Sequence, residues 1–361
     1  MGNTKRVRYA ELDIAKGIAI LAVIAVHISD DYQLFPKGIS FHLATFFAVS
    51  GILLSQSARD ETFCRFAKKK VVTLLLPYIN LSVLYICFFG LLKLFLEGWD
   101  AARSFAFNGL YVSLVGSGIG TLWFLPTFFL ANILFFLLQR VFHASRTPLC
   151  LGLMVLSLYL SKLLTTLGYT GTPHDASPRG IFLNMLQVFL QALIAIGFME
   201  FGILCWRMIR FMREKVLHSS VLFLFLGLLL IMIDIMLFDQ YIGNDLHYAK
   251  FVNVSGYLIC SLTGTGGVLL ISSFLKTLRI PSKLLCYLGR NSLIIMTTHF
   301  EYKIVNIVKA LVVSLPIALF AQKVLLYSGI CAVEMLICSI VNRTKLKFLF
   351  HPQFRRNPRI R

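Results

Sequence analysis

Lys16 and His27 stand eleven residues apart in the first apolar run of this 361-residue chain. On a helix that separation is about three turns, so both share one face about 16 Å apart along the axis. Imidazole exchanges protons near neutral pH, and an ammonium group holds an anion. The pair therefore suits a long ligand with an anion at one end and a reacting atom at the other. A simpler reading stands beside it. Asp13 and Lys16 can pair locally at i, i+3 and pin the helix end, with His27 bonding only a neighbour.

The second apolar run opens Phe41-His42 and continues through Phe46-Phe47 to Ser50-Gly51. It runs back across, so His42 starts near the level that His27 reaches. The two histidines converge as a base and its orienting partner, or His42 is an interfacial residue without chemistry. Ahead of the third run lie Arg65, Lys68, Lys69 and Lys70. Lys69 and Lys70, beside Lys16, can grip phosphates; Arg65 and Lys68 read better as orientation charges. Gly116-Ser117-Gly118-Ile119-Gly120 leads into Thr121-Leu122-Trp123. Its glycines permit close backbone approach, and Trp123 reads as an interfacial belt residue. The ninth run carries Gly289-Arg290-Asn291-Ser292 and then His299. Glu301, two residues on, points to another helix face, so it forms no metal pair with His299. Glu200, Asp234 and Glu334 are acidic groups in or near other apolar runs, where an ionisable residue is costly and marks a polar cavity.

Other signals point away from common chemistries. Gly264-Thr265-Gly266-Gly267 lies inside an apolar run and reads as helix packing rather than a dinucleotide loop. There is no GxSxG, Walker A or HExxH pattern, which argues against a serine hydrolase, an ATP-driven pump and a zincin. The eight cysteines lie far apart with no CxxC pair, so free thiols and no metal site are expected.

The elements that must position these residues are membrane helices. Hydrophobic residues make up 58% of the chain and charged ones 14%, against about a quarter charged in soluble domains. Ten runs are long enough to span: 13–30, 39–57, 71–96, 121–139, 149–168, 181–206, 219–239, 251–275, 288–308 and 316–341. In lipid they must be helical, which predicts an all-α bundle of about ten transmembrane helices. The formal net charge of +19 invites a nucleic-acid reading. Its placement opposes one: alternate connecting segments hold 25 Lys and Arg, the intervening ones five. That alternation puts both termini in the cytoplasm. Lys5, Arg6 and Arg8 before Gly17–Ile28 resemble a signal peptide, but Lys16, His27 and the immediate return at Phe41 favour a retained first span. Residues 1–341 are expected to form one transmembrane domain, and 342–361 a basic cytoplasmic tail that meets anionic lipid.

Taken in order, these motifs resemble the acyltransferase-3 family of integral membrane O-acyltransferases, in its sugar O-acetyltransferase branch. The resemblance runs from Leu12-Asp13 and Lys16-Gly17-Ile18 to His27, through Phe41-His42, Phe46-Phe47, Ser50-Gly51, Lys69-Lys70, Pro77-Tyr78 and Leu122-Trp123-Phe124-Leu125. It ends at Leu288-Gly289-Arg290-Asn291-Ser292-Leu293 and His299. It implies a ten-span bundle in a bacterial-type plasma membrane. It implies acyl transfer from acetyl-CoA, used as a co-substrate with no bound cofactor, to a hydroxyl of a cell-surface carbohydrate or its lipid-linked precursor. His27 would be the essential catalytic histidine. Lys16, replacing a common arginine, would help hold the donor with Asp13, Lys69 and Lys70. His42, Trp123 and His299 would orient or bind the acceptor. Ala44-Thr45 stands where a proline is common. The competing reading is a transporter or flippase for a glycan intermediate, for which no inverted repeat is visible.

Overall fold

The long helix Pro178–Lys215 lies at the centre of the bundle, and the most apolar run, Ser220–Gln240, lies on its rim. The computed structural model describes residues 8–28, 39–57, 61–142, 145–169, 175–215, 220–299 and 302–350. Glu301, most of the first outer connection and the tail from 351 onward lie outside those residues. Among the described residues the chain is all-helical, with no strand beyond one isolated bridge between Asp245 and Lys250.

The first two helices, α1 (Ala10–His27) and α2 (His42–Ser57), are followed by α3 (Phe63–Lys70). A single π-helical turn over Val71–Leu75 joins α3 to α4 (Leu76–Glu97) without a break. Then come α5 (Trp99–Leu114), a 3₁₀ turn at Gly120–Trp123, α6 (Phe124–Val141), α7 (Arg146–Thr166) and α8 (Pro178–Lys215). The second half comprises α9 (Ser220–Leu237), α10 (Val254–Leu275), α11 (Arg279–Arg290), α12 (Ser292–Thr298), α13 (Ile304–Val313), α14 (Leu319–Arg343) and the short α15 (Lys347–Phe350).

Among the described residues, seven helices are long and apolar enough to cross a membrane, and three of the ten expected spans are not among them. The three shortfalls have separate causes. α1 carries Glu11, Asp13 and Lys16 within its 18 residues. α2 has only 16 residues. The expected span 288–308 is interrupted at Asn291 and again beyond His299, and so is divided among α11, α12 and α13. α1, α2 and α12 are largely buried among other helices, so they need neither full length nor a uniformly apolar face. The segment 97–120, expected as a connection, instead contains α5, which packs along α4. Much of the expected connection 309–315 belongs to α13.

α1 lies against α2, α10 and α11, while α2 and α7 lie on the long, largely buried α8. Two charge clusters tie the start of α1 to its neighbours. Glu11 accepts from Lys276 at 2.6 Å and Arg213 at 3.2 Å, joining α1 to the ends of α8 and α10. Asp13 meets Arg8 at 2.8 Å, Lys16 at 3.0 Å and Arg290 at 3.3 Å. Asn342 donates to Asn291 at 2.7 Å, so the end of α14 lies at the same end of the bundle as the start of α1.

The crossing of α1 and α11 depends on two glycines. A Cβ at Gly289 would lie 1.9 Å from the Asp13 carbonyl oxygen, and one at Gly17 would lie 2.2 Å from that of Leu285. Backbones this close leave no flexible side chain to give way. Gly289→Ala is therefore expected to cost about 1–3 kcal/mol of stability through overpacking, read as a lowered unfolding midpoint in detergent. An unchanged midpoint would mean that the two helices can separate freely.

Candidate active site

α1 is unbroken from Lys16 to His27, so the sequence spacing translates directly into a separation along the bundle. Each residue opens into its own cavity. At the end of α1, His27 and His42 line a cavity of about 320 Å³ with Trp123, Asp245 and His247. Nearer its start, Lys16 lines a second cavity of about 240 Å³ with Ser50, Lys70 and Ser292. Phe124 and Met296 line both.

The histidine cavity contains a dyad with assignable tautomers. His27 Nδ1 lies 2.8 Å from the Val23 carbonyl, and His299 Nδ1 lies 2.7 Å from the Ile295 carbonyl. A carbonyl only accepts, so each Nδ1 carries the ring proton in the neutral side chain. The lone pair of His299 Nε2 then faces His27 Nδ1 at 3.4 Å, and that of His27 belongs to Nε2. The rings meet edge-on, with centroids 5.0 Å apart. The residue that orients His27 is thus His299. His42, expected in that role, lines the same cavity with its Nδ1 buried and bonded to no protein group.

His299 is fully buried at the end of α12. This short helix passes between the cavities: Ser292 and Leu293 line the lysine cavity, and Met296 faces both. Two side-chain contacts fix it. Thr121 donates to the Met296 carbonyl at 2.8 Å, and Thr298 donates to the buried Glu334 at 2.6 Å. Phe124, the other shared residue, is packed among the rings of Phe46, Phe47 and Phe128.

The lysine cavity takes only one of the two adjacent lysines. Lys70 donates to Asn132 Oδ1 at 2.7 Å, as Ser50 does at 3.0 Å. Lys69 turns to Glu61 at 3.6 Å and is absent from the lining, contrary to the expected donor grip. Asp13 also lines neither cavity and acts as an anchor for Arg8, Lys16 and Arg290. Trp123 is buried, not in an interfacial belt, and stacks on His247 with centroids 5.0 Å apart and planes 12° apart.

Asp245 and His247 were not singled out from the sequence. They sit in a tight turn closed by paired backbone bonds between Asp245 and Lys250, in which Asp245 Oδ1 accepts from the His247 amide at 2.7 Å. Gln187 and Gln191 on α8 hold the His247 carbonyl. The available signal was the run Asn244-Asp245-Leu246-His247-Tyr248, dense in reactive side chains between two apolar helices. Asn132 was legible too, as an amide inside an otherwise apolar span.

Residues 9–343 match the family described as an acyltransferase domain. The nodulation protein NolL of Sinorhizobium fredii (strain NBRC 101917 / NGR234) is 31% identical over 164 residues, which cover 40% of this chain and 41% of the relative. The match thus spans less than half of either protein. No solved structure matches. With several apolar helices long enough to span and a family match over nearly its whole length, the chain is a multi-pass membrane protein and belongs to the acyltransferase-3 family.

Proposed function

We propose that the protein transfers an acetyl group from acetyl-CoA to a hydroxyl of a cell-surface carbohydrate or its lipid-linked precursor, in a bacterial plasma membrane. One observation carries the reading: Lys16 and His27 open into two cavities along one helix, divided only by the wall containing Phe124 and Met296. The lysine cavity faces the cytoplasm, where coenzyme A is available, in keeping with the alternation of basic connections. Lys16 and Lys70 hold donor phosphates, since an ammonium is a compact point charge for such groups.

The acceptor enters the histidine cavity. His27 Nε2 removes the hydroxyl proton as that oxygen attacks the thioester carbonyl, and the proton then leaves with the coenzyme A sulfur as the C–S bond breaks. The imidazolium formed on His27 is stabilised through Nδ1 by the Val23 carbonyl and the His299 lone pair.

The test is transfer of radiolabelled acetyl from acetyl-CoA to the glycan fraction of membranes containing wild-type protein or Lys16→Ala/Lys70→Ala. The double variant is expected to raise the KM for acetyl-CoA by about 100-fold or more, from two lost charge-assisted contacts at about 1.5 kcal/mol each or more. Its acceptor KM should hold. An unchanged donor KM would remove both lysines from the donor site. Wild-type membranes that label no glycan, while glycan export depends on the protein, would favour transport.

A further inference from the structure

Beside the histidine cavity lies a third space of about 330 Å³, walled by α4, α5, α8 and the glycine-rich segment before the 3₁₀ turn. Its volume falls within the usual range for small-molecule sites. His247 lines both this space and the histidine cavity, so the two adjoin at that ring.

The chemistry of the walls restricts what fits. Tyr85, Phe105 and Tyr248 present aromatic surface, while Asn108, Asn184 and Gln187 supply amides. Among the described residues no Asp, Glu, Lys or Arg lines the space. An anionic lipid headgroup or a coenzyme A phosphate would find no counter-charge there. A plain acyl chain would leave several amides facing hydrocarbon, at a cost in free energy. A neutral polyhydroxylated ring satisfies both kinds of wall, with its C–H face against aromatic rings and its hydroxyls on amides.

A second feature marks the space as built for a polar ligand. Ser117 lines it, and its hydroxyl is buried without a hydrogen-bond partner in the protein. The flanking Gly116, Gly118 and Gly120 all have left-handed backbone, at φ +82°, +69° and +46°. At Gly118 a Cβ would lie 2.4 Å from the Trp123 amide nitrogen, so the segment folds tightly over the tryptophan. The same turn thus offers Ser117 to one space and sets Trp123 in the other. The unexpected helix α5 supplies Phe105 and Asn108 and completes the enclosure.

We infer that this third space binds a neutral sugar unit of the acceptor, next to the unit whose hydroxyl is acylated beside His27. The assignment rests on the carbohydrate reading of the acceptor, and two measurements separate their failures. The probe is the membrane glycan fraction, de-O-acetylated by mild alkali and released as neutral oligosaccharides. Its binding to purified full-length protein is measured by thermophoresis, and its acetylation with radiolabelled acetyl-CoA.

Tyr85→Ala is expected to weaken binding and raise the acceptor KM by about tenfold, leaving the KM for acetyl-CoA within twofold. Ser117→Ala, nearly isosteric and safe for folding, is expected to raise the acceptor KM about fivefold with kcat held. If wild type acetylates the glycan and both variants keep the acceptor KM within twofold, the subsite is refuted while the acyltransferase reading stands. If wild type binds the oligosaccharides, Ser117→Ala weakens that binding and no acetyl is transferred, the subsite stands and acyl transfer to this glycan falls. Neither binding nor acetylation by wild type refutes both.

Discussion

His27→Ala is expected to lower acyl transfer by about a thousandfold, with the variant still present in the membrane at wild-type level. Loss of a positioned general base costs typically about 10²–10⁴ in rate, and the geometry places this one near the upper part of that range. Two backbone carbonyls fix the ring protons, so the basic nitrogen is set before the acceptor arrives. His299 touches the base rather than the reacting atoms and is a positioning residue. His299→Ala should cost about ten- to hundredfold in kcat with little change in either KM. The double variant should be scarcely worse than His27→Ala, because the two act as one unit. The measurement is labelled acetyl incorporated into glycan, normalised to the immunoblotted amount of protein. Incorporation by His27→Ala within threefold of wild type would place the base elsewhere.

Glu200→Ala is expected to have the largest effect on stability. Glu200 is fully buried on α8 and accepts from Arg146 through both oxygens, at 2.8 and 3.0 Å, and from Thr147 at 2.7 Å. Removing the carboxylate leaves the guanidinium, itself only 12% exposed, without its counter-charge. Breaking one side of such a pair typically costs about 3–5 kcal/mol. In detergent this should appear as a large drop in the unfolding midpoint, and in cells as a much lower steady-state level. Arg146→Met should lose less, because the Glu200 carboxyl keeps its bond to Thr147. If both variants melt like wild type, α7 and α8 are held together by apolar packing alone.

The parts of the site legible in the sequence are those joined by regular helix. Lys16 and His27 share α1, so counting residues was enough. Lys69 and Lys70 could not be told apart, because the π turn at Val71–Leu75 puts the faces of α3 and α4 out of the phase that 3.6 residues per turn predicts. The His27–His299 dyad was hidden by the breaks at Asn291 and beyond His299, which divide the ninth apolar run among three short helices with directions of their own. His247 sits in a turn, whose place depends on α8 glutamines some sixty residues away. Three of the expected spans lack the length or uniform apolarity of the rest for a related reason. Apolarity reports contact with lipid, and α1 and α2 meet mainly protein, so their sequences are free to carry charges or run short.

The shared wall has a further consequence, for the cell's energy supply. On the proposed function the two cavities reach in from opposite faces of a plasma membrane, so they must not join into a path for protons. Here the insulation comes down to the ring of Phe124 and the thioether of Met296, both buried and neither able to relay a proton. Phe124 is held by four neighbouring rings, whereas Met296 has a flexible side chain on a short helix. With the proposed thioester donor, its slender arm displaces such a side chain and fills the gap itself, so the seal passes from methionine to substrate without an open pore between them.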